Sequence, residues 1–310
     1  VVVAGAVGIT PARQTAWAYR QYLRHQGVRG SLASMLPETA LPFAVASGLF
    51  GEVDHDPLPA WLRVRQPVLA VWGELDREAA PAESAPAIAG ALAEGGNASC
   101  TIALLPGVRH NLGATFDDGF DRPDALPPAY GELEAAWIHG LADGPPPSST
   151  AALPATGEPS RTVEEPTGPN TPWVQMAAYL LMLAVYLAYP VSALVRRSLG
   201  RRGKPAVAAT ATRLAVGCGT ATLVGFLGYL GFLIVTAANI AGPVVFGQPV
   251  PWWILQGLAL STALATGTAA VLGVRGRETL RGTHRVRLWS VVAAGAVLVP
   301  WAAHWGLLLP

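Results

Sequence analysis

The chain has 310 residues, of which 51% are hydrophobic and 13% charged, and its formal net charge is +1. This length is sufficient for two domains. The sequence contains no P-loop, and no G-x-G-x-x-G turn follows an apolar run, so nothing in it indicates nucleotide or nucleic-acid binding.

Charge is distributed unevenly along the chain. Residues before Pro172 include ten arginines and nineteen acidic residues, which gives a net charge of −9. From Pro172 onward, ten arginines and Lys204 are accompanied by a single acid, Glu278, which gives +10. An acidic part followed by a basic, apolar part is typical of a soluble domain joined to a membrane domain. Because Cys100 and Cys218 fall one in each part, a disulfide between them is not expected, and the redox compartment stays open.

Three apolar segments in the acidic part are predicted to form strands. Val1–Gly8 is the first, and Pro67–Trp72 and Cys100–Leu105 are continuous apolar runs of the kind that form strands buried on both faces of a parallel sheet. Start and stop signals and apolar spacing predict helices between and after these strands: Ala12–Gln26, Pro81–Gly95 and Asp124–Leu141. The predicted fold class of this part is therefore α/β with a parallel sheet.

Two of the predicted strands are followed by turns that carry ionisable residues. Gly-Glu-Leu-Asp places Asp76 just past the C-terminal end of one strand, and Pro-Gly-Val-Arg-His places His110 on the loop after the next. Because neighbouring parallel strands end at the same edge of a sheet, we expect Asp76 and His110 to lie close together there. Glu74 is the nearest alternative acid, although it comes two positions earlier in the turn.

These paired turns resemble the last third of the α/β-hydrolase fold, and within it the branch of dienelactone hydrolase and prolyl oligopeptidase. In that family the acid follows a G-x-x-D turn and the base a P-G-x-x-H turn, which correspond here to Asp76 and His110, and the similarity covers Val1–Gly140. The resemblance implies a serine hydrolase that cleaves an ester or peptide bond without a cofactor. It also implies that Asp76 and His110 are the acid and base of a Ser-Asp-His triad.

The chain departs from the family pattern in one respect, since it contains no G-x-S-x-G nucleophile elbow. In the family the serine precedes the acid and the base, and Val1–Gly8 corresponds to the strand that follows the elbow and its helix. We therefore expect residues 1–142 to be the C-terminal part of a hydrolase domain whose serine lies upstream. In related hydrolases the region that corresponds to Ser31–Gly51 supplies helices over the mouth of the active site.

Asp54, His55 and Asp56 form the one cluster that suggests a metal site. Their spacing is too tight for one helix face, and a helix cap explains Asp56, so no metal ligand is predicted. His25 and His139 fall on predicted surface helices, where we expect them to be solvated.

Residues 143–171 are rich in Pro, Ser, Thr, Glu and Gly and lack apolar periodicity, which predicts a flexible linker. Residues 172–310 are predicted to form an all-α domain of four transmembrane helices, because four apolar runs are long enough to span a hydrocarbon core of ~30 Å. These runs are Trp173–Val195, Leu214–Ala241, Pro251–Val274 and Leu288–Pro310. Glycines favour close packing of the second helix, namely Gly217, Gly219, Gly225, Gly228 and Gly231.

The first and third connections between these runs are rich in arginine, whereas the second, around Gly242–Val250, is uncharged. The positive-inside rule therefore predicts a multi-pass cell-membrane protein whose linker and hydrolase part are outside. The basic connections would suit anionic lipid head groups, although topology alone accounts for them. Five tryptophans fall at the predicted outer ends, where an aromatic belt is expected: Trp173, Trp252, Trp253, Trp301 and Trp305.

Two functions from different classes follow from these observations. The first is a membrane-anchored, extracytoplasmic serine hydrolase, whose partners are a small ester or peptide substrate and the lipid bilayer. The alternative is a membrane sensor or transport-associated module whose hydrolase-like domain only binds a ligand. The apolar runs carry no charged residue at mid-depth, which argues against transport. An intact upstream G-x-S-x-G would favour the enzyme, and a substituted serine the ligand-binding module.

Overall fold

The structure is a computed structural model that describes residues 1–122, 125–153, 159–200, 208–278, 280 and 282–308. Its contacts divide the chain into two compact units. The sheet unit comprises Val1–His25 and Gly48–Glu164, and the helical unit comprises Gln26–Ser47 and Glu165–Pro310. This division differs from the predicted boundaries, since a short segment within the first 142 residues groups with the membrane helices.

The elements in chain order are β1 Val2–Ala4, α1 Pro11–His25, α2 Ser31–Met35, α3 Leu41–Ala46, α4 Leu58–Trp61, β2 Val68–Gly73, α5 Pro81–Glu94, β3 Cys100–Leu105, α6 Pro128–Gly140, β4 Ser149–Thr150, α7 Pro172–Ser198, α8 Ala209–Val235, β5 Val244–Val245, β6 Gln248–Pro249, α9 Val250–Arg275 and α10 Gly282–His304. A π-helical turn, Leu36–Ala40, joins α2 to α3. The three strands predicted in the acidic part and the four apolar helices are confirmed, with β1 shorter than expected.

The sheet of the sheet unit has the order β1-β2-β3-β4, and every neighbouring pair is parallel. All six residues of β2 are buried, as its continuous apolar run predicts. Alternate β2 side chains point to opposite faces, so Val68, Ala70 and Trp72 pack with α5. Leu69 and Val71 form a second cluster, against which the half-buried side chains of α6 pack. Helices therefore cover both faces, and the ends of β2 and β3 lie at one edge of the unit.

The segment predicted as a flexible linker contributes a strand to this sheet. Ser149 and Thr150 pair with Thr101 and Ile102 of β3, and the N–H of Ala151 donates to the carbonyl of Ile102 at 3.0 Å. The prediction of a flexible linker therefore differs from the structure over these residues. The physical reason is that backbone groups, rather than apolar side chains, satisfy the exposed edge of β3, and composition does not report backbone pairing.

Among its described residues, the helical unit contains four helices that are long and apolar enough to cross a membrane, α7 to α10. α8 packs along α9, and α10 contacts the other three. Two of the five glycines predicted to mediate close packing do so, since a Cβ at Gly219 would lie 2.4 Å from the ring of Tyr186 and one at Gly225 would lie 2.9 Å from Leu255. A Cβ at the remaining three, Gly217, Gly228 and Gly231, would meet no atom within 4 Å.

The segment Gln26–Ser47, which contains α2 and α3, belongs to the helical unit rather than to the sheet unit. The hydroxyl of Ser31 accepts hydrogen bonds from Trp252 Nε1 at 3.0 Å and Gln256 Nε2 at 3.1 Å, and Phe43 packs edge-on against Trp305. This segment therefore packs on the membrane helices, a contact that the sequence analysis did not predict. Its buried side chains include Leu32, Met35 and Leu41, and removal of such apolar side chains from water favours packing of this kind.

The tryptophans predicted to form an interfacial belt divide into two groups. Trp252, Trp301 and Trp305 are buried, and each packs within 6.4 Å of the ring of Phe226. Trp173 and Trp253, by contrast, are 81% and 39% exposed, as interfacial anchors would be. Three of the five tryptophans thus form a buried aromatic cluster of the helical unit.

Candidate active site

Asp76 lies in the loop after β2, and its carboxylate is completely buried. Oδ1 accepts hydrogen bonds from the backbone N–H groups of Glu78 and Ala79, both at 2.8 Å. These two bonds fix the plane of the carboxylate and leave Oδ2 free to bind another group. A buried carboxylate held in this way has one oxygen committed to its own loop and one available to a partner.

His110 lies in the loop after β3, and its imidazole Nδ1 is 2.9 Å from Asp76 Oδ2. The loop is held by a bridge between Val108 and Ala114 and by the N–H of Arg109, which donates to the carbonyl of Gly113 at 2.9 Å. The imidazole is 15% exposed. The structure thus brings together the two residues that the sequence predicts as acid and base, at the common edge where their parallel strands end.

Gly73 allows the two loops to approach each other. A Cβ at this position would lie 2.1 Å from the backbone carbonyl oxygen of Val108, so only glycine fits. Just beyond it, the N–H of Leu75 donates to the same carbonyl at 2.9 Å. The alternative acid, Glu74, is directed elsewhere, because its carboxylate accepts a hydrogen bond from the N–H of Gly107 at 3.3 Å. Glu74 therefore holds the turn that precedes His110 and does not contact the imidazole.

Glu78 is a site residue that the sequence analysis did not identify. Its Oε2 lies 3.8 Å from Nε2 of His110, on the side of the ring opposite Asp76. Its Oε1 accepts hydrogen bonds from the hydroxyl of Tyr22 at 2.6 Å and from Arg122 Nη2 at 3.1 Å. The signal available in the sequence was an acid two residues after Asp76 in the same loop. Tyr22 and Arg122 are distant in sequence and could not have been assigned from it.

The end of β1 approaches the imidazole from a third direction. Gly5 follows β1 with a φ of +58°, and its N–H donates to the carbonyl of Val71 at 2.8 Å. A Cβ at Gly5 would lie 3.1 Å from Cε1 of His110 and 3.2 Å from Nδ1. The backbone at this point therefore forms one wall of the site, and its positive φ and the small space both favour glycine.

The surroundings of His110 act on its pKa in opposite directions. Burial lowers the pKa because it disfavours the imidazolium, and Arg109 adds to this effect. The hydrogen bond to Asp76, the charge of Asp76 and the charge of Glu78 together outweigh these influences, so the pKa of His110 is raised above its usual value. Burial and the neighbouring Glu78 also raise the pKa of Tyr22 to about 12, so its hydroxyl keeps its proton and serves as a donor.

This geometry can carry out general base chemistry. When Nδ1 donates its proton to Asp76, Nε2 is left as the nitrogen that can accept a proton from a nucleophile. Within the described part of the chain, no serine hydroxyl is hydrogen-bonded to His110. Three serines of the first 142 residues bond within their own segments, since Ser34 donates to the carbonyl of Ser31, Ser47 to that of Phe43 and Ser84 to that of Ala79.

Two other residues weighed in the sequence, Asp56 and His25, have partners of their own. Asp56 Oδ1 accepts a hydrogen bond from the N–H of Leu58, the first residue of α4, at 3.0 Å, although the N-cap position of that helix is Pro57 and not Asp56 as expected. Across the described residues, no group of three His, Cys, Asp or Glu side chains could hold a metal ion. His25 pairs with Asp117 at 3.0 Å and stacks on Phe120, so it is not simply solvated.

Comparisons with protein-family models, with curated proteins and with solved structures return no match to this chain.

Proposed function

We propose that this chain carries the acid and the base of a Ser-Asp-His serine hydrolase that cleaves an ester or peptide bond. The observation that supports this most strongly is the 2.9 Å hydrogen bond between His110 Nδ1 and the buried Asp76 Oδ2. It joins two loops at the carboxyl ends of adjacent parallel strands, where sheets of this kind place their working groups. In this role Asp76 orients the imidazole and stabilises the cation that forms during turnover.

The nucleophile in this proposal is a serine that lies upstream of Val1. Two features support this position. Among the described residues, β1 is an edge strand with one side unpaired, so a further parallel strand can add there. Gly5, at the end of β1, lies against the imidazole, so a turn beside it would be within reach of His110. His110 Nε2 would take the proton of the serine and later return it to the leaving group.

The membrane part of the proposal concerns orientation. The arginine-rich connections follow α7 and α9. The described arginines in or beside them include Arg196, Arg197, Arg213, Arg275 and Arg277. Arg201, Arg202, Lys204 and Arg281 lie outside the described residues. In the proposed orientation these positive residues are on the cytoplasmic side and the sheet unit is outside the cell membrane, as the positive-inside rule favours.

An activity-based label tests this function on the natural full-length protein. A fluorophosphonate should form a covalent adduct with one serine upstream of Val1, and His110→Ala should abolish the adduct because the serine loses its base. His25→Ala is the matched control, since His25 forms a second His–Asp pair in the sheet unit, at 3.0 Å from Asp117. Equal labelling of the wild type and His110→Ala would contradict the proposal.

A ligand-binding module is the second candidate, and one observation favours it. The group that faces Nε2 of His110 is the carboxylate of Glu78, not a hydroxyl. In such a module the full-length protein would not react with a fluorophosphonate, although an ester or peptide could still bind.

A further inference from the structure

The helical unit has a groove between α7 and α8, at the end where these helices approach the first arginine-rich connection. Its volume is about 850 Å³. The described residues that line it are largely apolar, and among them Leu194 and Val224 are more than half exposed, so the groove is open on its outer side. Gly217 also lines it, and a Cβ there would meet no atom within 4 Å, so the small residue keeps the groove wide.

The charge of the groove is positive and confined to one end. The two charged side chains among its described lining residues are Arg197 of α7 and Arg213 of α8. A third arginine, Arg287 of α10, lies 4.1 Å above the ring of Tyr189, another lining residue, and donates to its backbone carbonyl at 2.9 Å. From Pro172 onward the sequence has a single acidic residue. An anion at this end would therefore meet Arg197 and Arg213 directly.

The length of the groove matches one leaflet of a bilayer. Along α8 it extends from Arg213 to Val224, which at the helical rise corresponds to ~16 Å. Along α7 it extends from Arg197 to Leu187, or ~15 Å. Both lengths are about half of a ~30 Å hydrocarbon core. A ligand that fits has a negative head beside the arginines and an apolar chain that reaches toward the middle of the membrane.

We propose that this groove is a binding site for an anionic phospholipid. The phosphate of the head group binds Arg197 and Arg213, and one acyl chain lies along the groove on Val216 and Ala221. The arginine fork suits phosphate oxygens, and clusters of basic residues between membrane helices favour anionic head groups. The proposal requires that the four helices span a membrane, and it does not depend on the hydrolase function.

The test uses the protein purified in a neutral detergent. Lipid binding is measured by native mass spectrometry and by the thermal unfolding midpoint. The probes are phosphatidylglycerol, phosphatidylcholine with the same acyl chains, and inorganic phosphate. We expect phosphatidylglycerol to bind most tightly and to raise the midpoint most. Arg197→Gln with Arg213→Gln should weaken its binding roughly 30-fold while leaving phosphatidylcholine unchanged, as expected for two arginines near the surface.

Two further variants make the outcome decisive. Arg275→Gln with Arg277→Gln removes the same charge at the other arginine-rich connection and should keep tight phosphatidylglycerol binding. Gly217→Leu fills the groove without a clash at Cβ and should weaken binding of the lipid while both arginines remain. Equal binding of the two lipids to the wild type, or equal losses in the two arginine pairs, would overturn the site. If inorganic phosphate raised the unfolding midpoint as much as phosphatidylglycerol does, and Gly217→Leu did not weaken phosphatidylglycerol binding, no acyl chain would be bound in the groove.

Discussion

At the scale of single residues, the candidate site depends on how the Asp76 carboxylate is held. Both of its oxygens have partners, since Oδ1 accepts from two backbone N–H groups and Oδ2 from the imidazole of His110. A buried carboxylate that lost one of these partners would be left partly unsatisfied, which typically costs 1–3 kcal/mol or more. The same bonds fix the orientation of His110, so stability and the geometry of the base have a common origin.

Glu78 is predicted to set the pH dependence of the site. Burial lowers the pKa of His110, whereas Asp76 and Glu78 raise it, and the net effect is an increase. Only the neutral imidazole can act as a base, so a raised pKa moves the acid limb of kcat/KM to higher pH. Glu78→Gln removes one negative charge beside Nε2. It should therefore lower the pKa of His110 and move the acid limb to lower pH, with plateau activity within about threefold of wild type.

The pKa of His110 can be measured directly by an NMR titration of its imidazole, and the acid limb by the pH profile of ester hydrolysis in the full-length protein. Glu74→Gln is the control, because Glu74 is in the same loop but bonds to the N–H of Gly107. If Glu78→Gln left the pKa of His110 unchanged or raised it, the proposed electrostatic role of Glu78 would be wrong.

The raised pKa of His110 also makes the stability of the folded protein depend on pH. Because the pKa is higher in the folded than in the unfolded state, the imidazolium contributes folding stability below the unfolded value of about 6.5, and this contribution is lost as the pH rises through the folded-state pKa.

At the scale of elements, the segment Gln26–Ser47 shows how a short stretch is secured to the ends of the membrane helices. Ser31 accepts bonds from two side chains of α9, and the amide of Gln26 donates to the carbonyl of Ala238 at 2.7 Å while its oxygen accepts from the N–H of Ala241 at 2.6 Å. These bonds satisfy polar groups that lie after α8 and at the start of α9. The two short helices α2 and α3 are therefore part of the packing of the helical unit.

Ser31→Ala should destabilise the helical unit by about 1–3 kcal/mol, because Trp252 Nε1 and Gln256 Nε2 lose their shared acceptor. Tryptophan fluorescence during thermal unfolding in detergent follows this directly, since Trp252 is buried at the contact. Ser34→Ala is the matched control. Its exposed hydroxyl donates only to the carbonyl of Ser31, and the change should stay within about 0.5 kcal/mol. Equal shifts in the two variants would contradict the role given to the Ser31 hydroxyl.

At the scale of the whole molecule, the sequence predicts best what depends on local pattern. Asp76 and His110 could be predicted to lie at one edge from the apolar runs of β2 and β3 and the turns that follow them. Strand burial and turn type depend mainly on residues that are adjacent in the sequence. The four membrane helices were likewise evident from their length and composition.

What the sequence did not reveal depends on contacts between distant residues. Ser149 and Thr150 join the sheet through backbone hydrogen bonds, which cannot be predicted from their side chains. The approach of Glu78 to Nε2 depends on Tyr22 and Arg122, which are far from it in the chain. The partner of Ser31 is likewise more than two hundred residues away.

The orientation of the molecule is predicted to place the sheet unit outside. In a chain whose natural Cys100 and Cys218 are replaced by alanine, a cysteine at exposed Glu165 should react with a membrane-impermeant maleimide in intact cells. A cysteine at Arg277, in the third connection, should react only after the cells are opened. We expect this labelling pattern because basic connections stay on the cytoplasmic side of a membrane. Labelling at position 277 but not at 165 in intact cells would reverse the orientation.

The most direct measurement of the central claim is ester hydrolysis by the natural full-length protein and its variants at Asp76 and His110. His110→Ala should lower kcat by ~10⁴-fold, because the serine loses its base, and Asp76→Asn should be similarly severe while the protein remains folded. His25→Ala, which removes the other His–Asp pair of the sheet unit, should keep wild-type turnover. If His110→Ala or Asp76→Asn retained more than about a tenth of wild-type hydrolysis, the residue concerned would not belong to a catalytic triad.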